Sequence, residues 1–167
     1  MSETKQSMNL LVTLRRRPDA QAIVKGNAKY PALSGVVRFY QARRGVFVCA
    51  EVSGLPEAGE PCENRIFAFH IHRGSQCTGD STDPFVDALT HYNPGNCPHP
   101  VHADDLVPLF SNHGYAFEVF LTDRFTVCEI VGKTVIVHFG PDDFTTQPSG
   151  NAGSKIACGQ IRAVAPR

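Results

Sequence analysis

The sequence predicts an all-β fold, a β-sandwich or flattened barrel of seven or eight short strands with two long loops. Three observations predict it. Short runs alternate apolar and polar residues, the period of strands rather than helices. The runs are punctuated by many of the 12 prolines and 14 glycines. No segment keeps a helical period over several turns. At 167 residues the chain fits one domain, long enough to bury roughly 70% of its unfolded surface.

Composition narrows the function. Lys plus Arg and Asp plus Glu are each 16, so the formal net charge is zero. That balance argues against nucleic acid or an anionic membrane as the main partner. No stretch approaches the roughly 20 apolar residues of a transmembrane helix. Residues 8–14 are apolar but short, and Arg15, Arg16 and Arg17 follow them, the reverse of a secretory signal. The expected location is the cytoplasm, or an extracytoplasmic compartment if a leader was trimmed. The six cysteines should then be mostly free thiols. Cys49 and Cys128, in apolar runs, are expected as core filler.

Residues 1–19 lack a clear period and contain a charge cluster; they are expected to be a tail or loosely attached arm. Residues 20–167 form the single domain. Its first strand is expected at 21–24. The next, 36–41, places Val37 and Phe39 on one face. After Arg43-Arg44-Gly45, residues 46–52 place Val46, Val48, Ala50 and Val52 on one side. Residues 67–73 read as a strand with Phe67, Phe69 and Ile71 on one face and His70 and His72 on the other. A long irregular loop fills 74–109. Residues 115–121 alternate again, with Tyr115, Phe117, Val119 and Leu121 together. A short strand is expected at 125–127 and another at 134–139, where His138 faces away from Val135 and Val137. A second loop spans 141–153, and 156–163 closes the domain.

Two histidines on a strand face suit a solvated surface as well as a metal site. Their company decides. The long loop holds His91, His99, His102 and Asp105 at spacings of eight, three and three. Three imidazoles and a carboxylate make a closed tetrahedral zinc set, a structural site. A loop with no core of its own gains order from such a clamp. His70, His72 and His138 form a second, all-imidazole group. Copper binds imidazole strongly and prefers a tetragonal nitrogen set, which wants a fourth nitrogen. His91 can serve both ions if its ring loses both protons.

These residues bring a resemblance into view. The runs Phe69-His70-Ile71-His72, His91-Tyr92-Asn93-Pro94, His102-Ala103-Asp104-Asp105-Leu106, Val137-His138 with Asp142, and 150–159 (GNAGSKIACG) occur in order across about residues 20 to 163. The chain resembles the copper/zinc superoxide dismutases, nearest to bacterial members with short loops. The resemblance implies a Greek-key, eight-stranded flattened barrel. It implies copper on His70, His72, His91 and His138, zinc on His91, His99, His102 and Asp105, and His91 as bridging imidazolate. Asp142 resembles the carboxylate that orients His70 and His99, with Asp143 as competitor. The implied reaction converts superoxide to dioxygen and hydrogen peroxide. A disulfide is implied between Cys158 and a loop cysteine, Cys77 first, with Cys62 and Cys97 as alternatives. A homodimer and a copper donor are partners the resemblance admits.

The chain departs from the family pattern at Lys155, where an arginine is usual. Lysine keeps the charge at the copper channel but lacks the planar fork that orients an anion. The loop after Asp142 is also short and carries little charge, so steering should be weaker. Two other readings follow: a copper/zinc-binding protein with little dismutase activity because of Lys155, and a structural zinc domain.

Overall fold

The computed structural model describes residues 10–57, 59–60 and 65–165. Its strands are β1 (Ala20–Gly26), β2 (Ser34–Ala42), β3 (Gly45–Ser53), β4 (Ile66–Phe67), β5 (Phe69–His72), β6 (Leu109–Phe110), β7 (Tyr115–Thr122), β8 (Thr134–His138) and β9 (Lys155–Ala163). Two short helices, α1 (Leu10–Arg15) and α2 (Val127–Ile130), accompany them. Seven strands form one curled sheet in the order β5-β8-β9-β1-β2-β3-β7, and β4 pairs with β6. Every pairing is antiparallel. The expected all-β class holds. β4 and β5 are the expected strand at 67–73, interrupted at Ala68, which donates its N–H to Gly140 O and accepts from His138 N–H. Taken as one strand, they bring the set to eight.

The alternation places the core. Val37, Phe39, Val46, Val48, Ala50 and Val52 are fully buried, with Phe69 and Ile71 from β5 and Val135 and Val137 from β8. Among the described residues no helix is long and apolar enough to cross a membrane.

Two local expectations need correction. The strand expected at 125–127 is absent; α2 starts there instead. Thr126 and Glu129 have the capping-box spacing, and Thr126 N–H donates to Glu129 Oε2 at 2.6 Å, a helix-start signal that outweighs a three-residue apolar run. Cys128 lies on the exposed side of that helix, so only Cys49 is core filler. In β7 the expected common face holds and is the outward one: Tyr115, Phe117 and Leu121 are exposed, while Ala116 is buried and Phe120 packs on the core. Within the segment expected as an arm, α1 lies near β2. Leu14 packs against Tyr40, Phe47 and Cys49, and Arg16 forks onto Asp19 at 3.1 and 2.8 Å.

A disulfide joins Cys77 to Cys158. Cys97 is free, and Cys62 lies outside the described residues. The bridge closes a span of 81 residues, worth about 4–5 kcal/mol in the loop-entropy account. It is packed beside Phe85, Ala88 and Ile136, and so ties the start of the long loop to β9.

β5 is an edge strand of the large sheet, and its free edge is what positions the loop. Tyr92 N–H donates to Ile71 O, Ile71 N–H to Asp104 O, and Leu106 N–H to Phe69 O. Isolated bridges therefore set His91 opposite His72 and Asp105 opposite His70.

Candidate metal centre

Because Phe69 and Ile71 fill the core, His70 and His72 must project from the other face of β5. On β8 a register shift falls between Val137 and His138 and places His138 opposite Lys155. A β-bulge of this kind re-aims a side chain. One nitrogen from each of His70, His72, His91 and His138 lies within 4.8 Å of the others.

The hydrogen bonds decide which nitrogen each ring offers. His72 Nδ1–H donates to Leu89 O at 2.8 Å, and His138 Nδ1–H to Gly153 O at 3.1 Å. His70 Nε2–H donates to Asp142 Oδ2 at 2.8 Å. A carbonyl or carboxylate can only accept, so in a neutral ring the other nitrogen keeps its lone pair. Those others, His70 Nδ1, His72 Nε2 and His138 Nε2, are buried with no hydrogen-bond partner, as are both nitrogens of His91. Buried unpaired acceptors are costly. Here they suit one ion that prefers nitrogen, so the residues fit copper.

The loop group is different in kind. Asp105 Oδ1 lies 3.0 Å from His99 Nδ1, 3.7 Å from His102 Nδ1 and 3.8 Å from His91 Nδ1. Three imidazoles thus surround one carboxylate oxygen, a donor set that fits zinc. A tighter group consists of His91, His102, Asp104 and Asp105, with one atom of each within 4.8 Å of the rest. It includes Asp104, to which the sequence analysis gave no role, and leaves out His99. A second acidic residue two positions after His102 was the available signal.

Asp142 links the two groups. Its Oδ2 accepts from His70 and its Oδ1 from His99 Nε2, both at 2.8 Å, and Phe144 N–H donates to Oδ1 at 2.7 Å. Burial opposes its ionisation, but those donors hold the carboxyl down to about 2. Asp143 instead accepts from the backbone N–H groups of Thr145 and Thr146 and shapes the turn. Gly150 covers Asp142: its φ is +65°, and a Cβ there would collide with Asp142 Oδ1.

The rings also differ in charge. Burial pushes His138 down to about 3, helped by the neighbouring imidazoles, and pushes His72 well below the usual range. Burial works against a proton on His91 too, but Asp104 and Asp105 outweigh it and raise that ring to about 9. Asp105 is buried as well, yet His91, His99 and His102 keep it below its ordinary value.

A cleft of about 1070 Å³ opens over His72, His91 and His138 and includes Lys155 and Asp83. Lys155 is not free in it. Its Nζ donates to Asp83 Oδ2 at 2.6 Å and to Phe85 O at 3.1 Å. Asp83 carries no signal in the sequence, because its partner is 72 residues away.

The described geometry has counterparts. A Cu-Zn superoxide dismutase of Aquifex aeolicus is 30% identical, the match covering 77% of this chain and 79% of that one. One from Paramecium bursaria Chlorella virus 1 is 29% identical, with 95% of this chain and 84% of that one covered. The solved structure of the Cu/Zn superoxide dismutase from Brucella abortus superposes with a TM-score of 0.70 at 24% identity, over 84% of this chain and 98% of that one, a likeness of fold. The family model described as copper/zinc superoxide dismutase (SODC) matches residues 33–161. With that match spanning both histidine groups, the chain belongs to the copper/zinc superoxide dismutase family.

Proposed function

We propose that His70, His72, His91 and His138 hold copper, that His91, His99, His102 and Asp105 hold zinc, and that the paired site dismutes superoxide. Membership of the family carries the activity class, and copper and zinc as cofactors. Copper supplies a one-electron couple, and zinc, which has no redox chemistry, supplies fixed charge and order. The chain's residues do the rest. Both nitrogens of His91 are buried without a hydrogen-bond partner. The ring faces both groups and can accept a proton on Nε2 in one half-reaction and return it in the other. Asp142 fixes the tautomers of His70 and His99 from behind, the usual task of a carboxylate beyond the ligands. The observation that carries the reading is the set of buried, unpartnered nitrogens on four converging rings.

Metal analysis and superoxide turnover on one preparation test it. One copper and one zinc per chain, with turnover, are expected. His91→Ala should disturb both metals, whereas His138→Ala should disturb copper alone. A His91→Ala protein with both ions bound normally would remove the bridge.

One observation favours the second reading, a metal-binding protein with little dismutase activity. The ammonium of Lys155 is already paired with Asp83, so less of its charge reaches an incoming anion. Turnover per copper in fully loaded protein separates the two. The reading also includes a copper donor and a homodimer. The exposed apolar side of β7, with Tyr115, Phe117 and Leu121, supports the latter, since such patches mark association surfaces. Sedimentation of Phe117→Glu against the natural protein tests it.

A further inference from the structure

A carboxyl group with no exposure and no hydrogen bond is costly to bury. Asp104 is one. The residue is 0% exposed, and neither side-chain oxygen has a hydrogen-bond partner. Its Oδ2 lies 2.7 Å from His91 Nδ1 and its Oδ1 3.5 Å from His102 Nδ1. Neither approach has hydrogen-bond geometry, and both ring nitrogens are themselves buried and unpartnered. Four buried, unpartnered polar atoms thus face one another. With no hydrogen-bond geometry between them, these four atoms converge as donors do around a cation.

The position is fixed by the sheet. Asp104 O accepts from Ile71 N–H, and the next residue is bridged to His70. β5 therefore holds the backbone on both sides of this carboxylate, and the side chain does not depend on a free loop for its placement. Zinc usually takes four ligands and expands to five in some sites. A dication facing one carboxylate keeps one positive charge, which a second carboxylate cancels.

We propose that Asp104 is a further direct ligand of the zinc, which then has two carboxylates beside the imidazoles of His91, His99 and His102. The inference rests on the zinc assignment above and extends it by one residue.

The test compares metal-free natural protein, Asp104→Ala, Asp104→Asn and Asp105→Ala. Each is titrated with zinc against a chelator, then with cobalt(II), whose visible absorption is stronger with four donors than with five. Both Asp104 variants should bind zinc at least about tenfold more weakly, the lower end of what even an outer partner of a metal is worth. Their cobalt(II) bands should intensify relative to the natural protein. The Asn variant keeps the shape of the side chain, so it carries the test if the Ala variant fails to fold. Unchanged zinc affinity and cobalt(II) spectrum in the Asp104 variants, with zinc lost from Asp105→Ala, would overturn the proposal and leave the zinc site standing. Normal zinc binding in Asp105→Ala would overturn the zinc assignment itself, and the proposal with it.

Discussion

The strand-borne histidines and the loop-borne histidines and aspartates arrive at one centre by different physics. His70, His72 and His138 sit in β5 and β8, where register decides the face of every ring. His91, His99, His102 and Asp105 sit on a loop with no sheet of its own, zipped against the free edge of β5. Protonation follows placement. The strand rings are crowded by other imidazoles, and burial keeps His72 and His138 neutral. His91 faces Asp104 and Asp105 and holds its proton up to about pH 9. The strand rings are thus poised for a metal, while the loop is held by imidazolium–carboxylate contacts that a metal must replace.

The largest effect expected from that contrast is on zinc uptake. A ligand must give up its proton to bind. With His91 near 9, zinc affinity of the metal-free protein should rise about tenfold per pH unit from 7 towards 9, or about 100-fold in all. Calorimetry in two buffers of different ionisation enthalpy should count about one proton released per zinc at pH 7. Release of none would mean that His91 is already neutral, and the contrast would collapse. Stability of the metal-free protein carries the same signature. An unfolded histidine titrates near 6.5. His91, raised on folding, contributes stability that is fully present below that value and lost by about 9. His138, lowered on folding, acts oppositely: its contribution is present above 6.5 and is lost as the pH falls towards 3.

Asp142 is where the two regions can be uncoupled. It is hydrogen-bonded to one ring of each, and removing such a partner typically costs 10–100-fold in metal affinity. Asp142→Ala should weaken copper and zinc together, by about that much. A loss confined to copper would show that His99 is oriented without it, for instance by the hydrogen bonds its own backbone exchanges with Gln147.

This contrast also marks what the sequence could say. The β5 histidines were legible because a strand has a period of two, and Phe69 and Ile71 declared the core side. The loop histidines and aspartates were legible as a spacing but not as a geometry. Nothing in His102-Ala103-Asp104-Asp105 tells which aspartate turns inward, and both do. Spacing alone favoured Asp142 over Asp143; in the structure the first turns to His70 and His99 and the second to Thr145 and Thr146. The carbonyls of Leu89 and Gly153, which set two tautomers, belong to no side chain and so leave no letter to read. The outward apolar face of β7 was visible as alternation, but alternation alone does not say which side meets the core.

The smallest effect concerns the cleft, where strand and loop meet at one ion pair. Lys155 begins β9 opposite His138, and Asp83 comes from the long loop. From its sequence position alone, Lys155 is expected to attract superoxide without orienting it. The structure adds a carboxylate at 2.6 Å, which cancels much of that attraction at a distance and ties the flexible stem down. These two consequences oppose each other in the rate. Attraction acts over about a Debye length and is screened by salt, whereas orientation is local and is not. Asp83→Asn should therefore raise superoxide turnover a few-fold at low salt, and the gain should fade as salt is added. Lys155→Glu should lower turnover by about an order of magnitude, within the range of steering effects, with both metals retained. Lys155→Arg should match or exceed the natural rate, because its fork can hold Asp83 and still present a donor. Equal low-salt turnover in the natural protein, Asp83→Asn and Lys155→Glu, all fully metallated, would show that this pair serves the loop and not the substrate.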